Sequence, residues 1–310
     1  MNRIHASATS RGAARHLRIH QPHPGLFAYY DGRLPGQRFA EGPNWVDEGA
    51  ISLGIATYAL VEGNRALVYD THVSADHGRA IRAHLEGQGV QDFTIVYSHW
   101  HLDHVAGTSA FGPVEVIANN RTAAHLTRHR GAIQNGSLSG PPTIDPLVLP
   151  TRTFSGGLSL TFGRHQIRLI EANIHSDDAT VLWLPERGIL LAGDTVEDCV
   201  TYVDEPGDLS LHGADLERLS LLAPRHVLPD HGSERIIASG GYGPGLIGAT
   251  QGYVGWLQGL ATDPQAAATP LRDVIGPDLD RGTLEWFAPY EAIHAQNVDR
   301  ALEHFRLLPG

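Results

Sequence analysis

The chain reads as an α/β protein, and three features of its pattern carry that assignment. Short runs rich in β-branched and aromatic residues alternate with amphipathic stretches up to about residue 130. The same alternation returns between about residues 158 and 237. Beyond that, apolar residues recur at helical spacing, interrupted by glycine. Alternation of period-two and period-3.6 segments is the pattern of sheets covered by helices.

Taken in order, ISLGIATYALVE (51–62) and RALVYDT (65–71) read as strands joined at Gly63-Asn64. SADHGRAIRAHLEGQG (74–89) reads as an amphipathic helix. Ser74 serves as its N-cap, Ala80, Ile81, His84 and Leu85 share one face, and Gly87 and Gly89 end it. DFTIVYS (92–98) is a short buried strand, and a further helix is expected from near Val105. PVEVIAN (113–119) reads as a strand and NRTAAHLTRHR (120–130) as a helix. Residues 131–150, rich in Gly, Pro and Ser, read as a long loop. LSLTFG (158–163), QIRLIEA (166–172), ATVLWLP (179–185) and GILLAGD (188–194) follow as strands, then DLERLSLLA (215–223) as a helix and RHVLPD (225–230) as a strand. In the tail, 240–261 keeps helical spacing despite its glycines, and 281–308 reads as two helices broken at Pro289. The expected organisation is a loose extension (1–20), a main domain (21–237) and a helical extension (238–310) packed on that domain, as a lid or a dimer contact.

Composition narrows the function. The chain has 310 residues, 42% apolar and 18% charged, enough for a large core and ordinary for a globular protein. Its formal charge is −11 with no block of Lys or Arg, which argues against a nucleic-acid surface and against docking on an anionic membrane. The single cysteine, Cys199, permits no intrachain disulfide and no thiolate zinc cluster, and is expected as a small buried hydrophobe. The first twenty residues lack the apolar run of a secretory signal, and the chain has no long apolar span. A cytoplasmic enzyme with a small-molecule substrate is the expectation.

The chemistry concentrates in SHWHLDH (98–104). His99 and His101 alternate at the end of a strand, so period-two geometry turns both to one side. Asp103 and His104 follow as the strand gives way. Four donors thus meet at the carboxyl end of a strand, where α/β sheets place ligand sites. Imidazole and carboxylate suit zinc, manganese or iron, with zinc the default. Three further donors also sit at predicted strand ends: His175, Asp194 and His231. Singly they read as loop histidines and a helix cap, but order and context bring them to the same sheet edge.

The motifs SHWHLDHVAG (98–107), IHSDDATVLWLP (174–185), LLAGDT (190–195) and LPDHG (228–232) resemble, in this order, those of the metallo-β-lactamase-fold superfamily. The resemblance covers roughly residues 50–237. It implies a four-layer αββα sandwich with two zinc ions at one edge. By position, His99, His101 and His175 would hold the first ion, Asp103, His104 and His231 the second, and Asp194 would bridge them. Mn2+ or Fe2+ are the other metals such a set accepts. A hydroxide shared by two metals would attack the substrate, with Asp103 accepting a hydrogen bond that aims it.

Within that family, the HSDD run at His175 differs from the G-H-T-P-G-H type of glyoxalase II. The Tyr that closely follows the bridging Asp in quorum-quenching lactonases is absent: Glu197 stands three residues on and the next tyrosine is Tyr202. True β-lactamases generally lack an Asp at the place of Asp194. The expected activity is therefore dinuclear zinc hydrolysis of a lactone, ester or thioester. β-Lactam, phosphoester or sulfate-ester hydrolysis, hydrolytic dehalogenation, and a mononuclear-iron enzyme resembling persulfide dioxygenases are the alternatives. Candidate substrate contacts are Asn44 and Trp45 in GPNWVDEGA (42–50), Thr195 and Tyr202 after the bridging Asp, and Tyr290, His294 and Asn297 at helical spacing in the tail. Packing is the competing role for Trp45 and an interhelical bond for His294.

Overall fold

The structure, a computed structural model, describes residues 12–307. Two sheets form its centre. The first holds β1 (Arg18–His23), β2 (Leu26–Asp31), β3 (Ile55–Glu62), β4 (Arg65–Tyr69), β5 (Asp92–Val96), β6 (Glu115–Asn119) and β7 (Arg152–Phe154), in sequence order. Its first four strands pair antiparallel and its last four parallel. The second holds β8 (Gly157–Phe162), β9 (His165–Ile174), β10 (Ser176–Leu184), β11 (Ile189–Gly193) and β12 (His226–Pro229), in the order β12-β11-β10-β9-β8, with β11 and β12 parallel.

Alternation along the strands explains the layering. Leu26, Ala28 and Tyr30 of β2, Ala56, Tyr58 and Leu60 of β3, and Leu67 and Tyr69 of β4 face the second sheet and share its core. Phe27, Tyr29, Ala59, Ala66 and Val68 turn the other way, onto helices α1 (Ala75–Gly87) and α3 (Asn120–Asn135). Both faces of the sheet are buried, which is why its strands read as near-continuous apolar runs. The short helix α2 (Leu102–Val105) lies between α1 and α3 in the chain. The outer face of the second sheet is covered by α4 (Leu209–Ser220) and α6 (Gly245–Gly259), with α5 (Glu234–Ala238) and α7 (Tyr290–Leu307) completing the helices used below. This is the expected four-layer αββα sandwich with helices at its C-terminal end. Among the described residues, no helix is long and apolar enough to cross a membrane.

Several elements depart from the sequence reading. β1, β2 and β7 were not expected. Arg18, Ile19 and His20, read as loose extension, belong to β1, while residues 1–11 of that extension lie outside the described residues. The strand expected from Ile51 begins at Ile55, because Ile51–Leu53 winds into a helical turn stopped at Gly54, whose φ is +76°. The helix expected near Val105 ends there. α3 runs five residues past its expected end, tolerating Gly131 and stopping at Gly136 in the left-handed conformation. α4 starts at Leu209 because Leu209, His212, Leu216 and Leu219 make the buried stripe, six residues ahead of the expected start. Only one helix occupies 281–307: it begins after Pro289, which is harmless before a first turn but would end a preceding helix.

Candidate metal centre

The carboxyl ends of four parallel-paired strands converge at one edge. β4 leads into Asp70, β5 into Ser98 and His99, β11 into Asp194, and β12 into Asp230 and His231. His175 sits between β9 and β10 with φ +72°, in the left-handed region that a side chain other than Gly rarely adopts. Asp70 (φ +63°) and His72 (φ +71°) share that conformation nearby. Such backbone strain gathers at functional sites, where surrounding contacts enforce it.

Two trios of donors form. His99, His101 and His175 make one, and Asp103, His104 and His231 the other. Asp194 lies between them. Its Oδ2 is 3.1 Å from His104 Nε2, 3.5 Å from His231 Nε2, and 3.6 Å from both His99 Nε2 and His175 Nε2. His175 Nε2 is 2.9 Å from His101 Nδ1, and Asp103 Oδ2 is 3.4 Å from His231 Nε2. All seven sequence-predicted donors are thus brought together.

The ring orientations follow from the outward contacts. The Nδ1 atoms of His104, His175 and His231 face Asp70 Oδ2 (2.9 Å), the Tyr202 carbonyl (3.0 Å) and the Gly54 carbonyl (2.8 Å). An Nδ1–H donated to those acceptors turns Nε2 toward the centre, where it can hold a proton or, in its place, a metal ion. His99 is oriented by Ser98 Oγ at 2.8 Å from its Nδ1. His101 is reversed: Nδ1 faces His175, and Nε2 points outward to Asp204 Oδ2 at 3.8 Å.

Charge and orphaned atoms test whether cations fit here. His99 Nε2 and Asp194 Oδ1 are buried without a hydrogen-bond partner among the described residues. Burial, reinforced by His104 and His101, holds the His99 imidazole well below its usual range, so it is a neutral donor. Burial opposes charge on His231 as well, yet Asp194 and Asp103 push it up to about 10. His104 is likewise raised against burial by Asp194, Asp103 and Asp70. The carboxylates therefore draw positive charge into the centre, as protons on His104 and His231 or as cations in their place, and the neutral His99 imidazole is a donor ready to share it. The donor set fits divalent cations.

Sequence reasoning missed the outer partners Asp70, Asp230 and Asp204. Asp70 carried a signal: it ends a strand in VYDT as Asp194 does in LAGDT. His104 Nδ1 also lies 3.2 Å from Asp230 Oδ2, and burial, with Asp70 adding to it, raises the Asp230 carboxyl well above the usual range.

The remaining candidates divide. Tyr202 stands at the edge of the centre, its ring 5.9 Å from that of His175. Asn44 is buried and spends its amide locally, on the Asp47 N–H, the Asp47 carboxylate and the Gly42 carbonyl. Trp45 donates its indole N–H to the Pro142 carbonyl and packs in the core. His294 is an interhelical histidine bonded to Tyr253 and to the Thr269 carbonyl, not a residue facing the centre. Thr195 bonds back to the Ala192 carbonyl. Cys199 is buried, as expected. Trp100 stacks on the rings of both His125 and His129 on α3. A cleft of about 760 Å3 near Arg33, Ile51 and Phe287 is lined by none of the seven donors.

The sequence profile of the Metallo-beta-lactamase superfamily matches residues 52–231. A linear primary-alkylsulfatase of Pseudomonas sp. (strain ATCC 19151) is 23% identical over 222 residues, covering 55% of this chain and 41% of that one. The beta-lactamase-like protein 2 homolog of Drosophila melanogaster is 28% identical over 187 residues, 58% of this chain and 59% of that one. This chain thus spans about half the length of these curated relatives. Among solved structures, a metallo-beta-lactamase from Pontibacter korlensis shares the fold at a TM-score of 0.59 and 16% identity, covering 77% of this chain and 99% of that one.

Proposed function

The chain belongs to the metallo-beta-lactamase superfamily, whose members are metal-dependent hydrolases, and from that premise we propose that it hydrolyses a lactone, ester or thioester using two zinc ions. The observation that carries the two-ion reading is the position of Asp194 Oδ2, within 3.6 Å of imidazole nitrogens from both trios. His99, His101 and His175 would hold one ion, Asp103, His104 and His231 the other, and Asp194 both. When bound, the ions supply Lewis acidity and lower the pKa of water toward neutrality.

The protein's own groups set the rest. Burial opposes charge on Asp103, but His104 and His231 hold its carboxyl well below the usual carboxylate range. It is an acceptor at neutral pH and more exposed than Asp194, with side-chain exposures of 18% and 5%. Asp103 is therefore suited to accept a hydrogen bond from the attacking water and to orient it. At the outer edge of His101, the Asp204 carboxylate is paired to Arg300, while burial and Asp204 push the Glu205 carboxyl up to about 8, so it is largely uncharged at neutral pH.

The test joins metal analysis to a substrate panel of lactone, thioester, β-lactam, phosphoester and alkyl sulfate. About two zinc ions per chain with lactone, ester or thioester turnover is expected. One iron per chain with oxygen consumption would overturn the reading, and turnover confined to the alkyl sulfate would move the substrate class to that of the Pseudomonas relative.

A further inference from the structure

The outward contacts of the two trios come from different parts of the molecule. For His104 and His231 the ring partners come from the framework: Asp70 after β4, Asp230 after β12, and the Gly54 carbonyl before β3, the loop after Asp194 adding only the Asp198 N–H to the His231 carbonyl at 3.3 Å. For His101 and His175 they come from the loop that follows Asp194. The Tyr202 carbonyl accepts from His175 Nδ1, the Asp204 N–H donates to the His175 carbonyl at 2.9 Å, and the Asp204 carboxylate faces His101 Nε2.

This loop is held by α7. Tyr290 donates its hydroxyl proton to Glu197 Oε2 at 2.9 Å. Asn297, buried, accepts from the Val203 N–H at 2.8 Å and donates to the Thr201 carbonyl at 2.9 Å, so its amide brackets residue 202. Arg300 donates to both the carbonyl and the carboxylate of Asp204, and its guanidinium lies 5.4 Å from the centroid of the Tyr202 ring. Positions 290, 297 and 300 are spaced seven and three apart, so one face of one helix makes all three attachments.

We propose that α7 is a positioning element for one ion only: through Asn297 and Arg300 it sets the affinity of the His99–His101–His175 trio and leaves the Asp103–His104–His231 trio alone. The inference rests on the two-ion reading above. Asn297 and Arg300 touch none of the proposed ligands; they act through the Tyr202 carbonyl and Asp204. Removing outer partners of a metal-ligating histidine weakens binding about 10- to 100-fold.

The test titrates zinc into metal-stripped protein and follows heat, with the fold checked by circular dichroism. Wild type should take up two ions. Asn297→Leu, and independently Arg300→Gln at a half-exposed position that the fold tolerates, should each weaken one binding step about 10- to 100-fold and leave the other unchanged. In a His99→Ala background, where only the second trio is complete, the same two substitutions should not change the affinity of the tighter remaining step. Two ions in wild type, with both steps weakened equally or neither moved by the variants, would overturn the coupling while sparing the two-ion reading. A single ion in wild type would overturn both, and is seen before any variant is made.

Discussion

Asp194 Oδ2 has four imidazole nitrogens within 3.6 Å and a buried, unpartnered Oδ1 beside it. No single hydrogen bond accounts for that arrangement; the cations proposed above would. His101 is the donor whose removal tests it most cleanly, because its side chain is 23% exposed and supports little of the core. His101→Ala is expected to reduce kcat/KM by at least about a thousandfold, with an unchanged far-ultraviolet spectrum. Activity at the wild-type level would refute the assignment. Gly193, just before Asp194, provides a second test. Its φ is +56°, and an added Cβ would lie 2.9 Å from Ser98 Cβ and 3.0 Å from the Tyr69 hydroxyl. Gly193→Ala should cost about 1–3 kcal/mol in urea unfolding and lower zinc affinity, because Asp194 and Ser98 are pushed apart. A variant as stable as wild type would show that this close approach is relaxed. At this scale the sequence was highly legible: all seven donors stand in motifs at strand ends. Of the outer partners, the Gly54 and Tyr202 carbonyls were not, because a backbone carbonyl has no residue identity to read, whereas Asp70 carried the strand-end signal noted above.

At the scale of elements, α4 carries an unusual core residue. His212 is fully buried, and neither ring nitrogen has a hydrogen-bond partner among the described residues. Burial pushes its imidazole down to about 4, against partial opposition from Asp208 and Asp215. An unfolded chain's histidine titrates near 6.5, so below that pH the unfolded state takes up a proton that the fold refuses. The stability tied to neutral His212 is full above about 6.5 and is lost as pH falls toward 4, on the order of 3 kcal/mol across that window. His212→Leu should therefore lose less stability than wild type between pH 7.5 and pH 4.5, as read from urea midpoints. Equal losses in the two proteins would contradict the account. His212 also shows why the start of α4 was misread. The buried stripe 209, 212, 216, 219 includes a histidine that polarity alone assigns to the surface, so the periodic signal emerges only from 215 onward. β2 escaped notice for a related reason: LFAYYD follows a stretch rich in His and Pro, and its burial on both faces erases the alternation that marks a half-exposed strand.

For the whole molecule, the two-part pattern of strands and helices was legible because each half repeats the same periodicities around its own sheet. How the tail docks was not, since helical spacing fixes which residues share a face but not what the face meets. In the structure, Leu246, Tyr253, Leu257, Leu271, Tyr290 and Val298 are buried in the same core as the second sheet. Val227 of β12 also exchanges backbone hydrogen bonds with Tyr242. At about 1.5–3 kcal/mol for each large apolar side chain, six such residues contribute on the order of 10 kcal/mol. That is comparable with the whole net stability of an ordinary domain, about 5–15 kcal/mol. A chain ended at Ser239 would expose the facing side of the second sheet and release the loop that carries the outer partners of His101 and His175. Such a chain is expected to aggregate or to lack fixed near-ultraviolet circular dichroism, and to bind zinc without two resolved steps. If the tail were a lid or a dimer contact and nothing more, the shortened chain would instead stay folded, keep both ions and change only KM or its mass in solution. Near-ultraviolet dichroism and zinc titration of the 1–239 chain separate these outcomes, and a folded two-ion fragment would show that the tail is dispensable to the core it packs against.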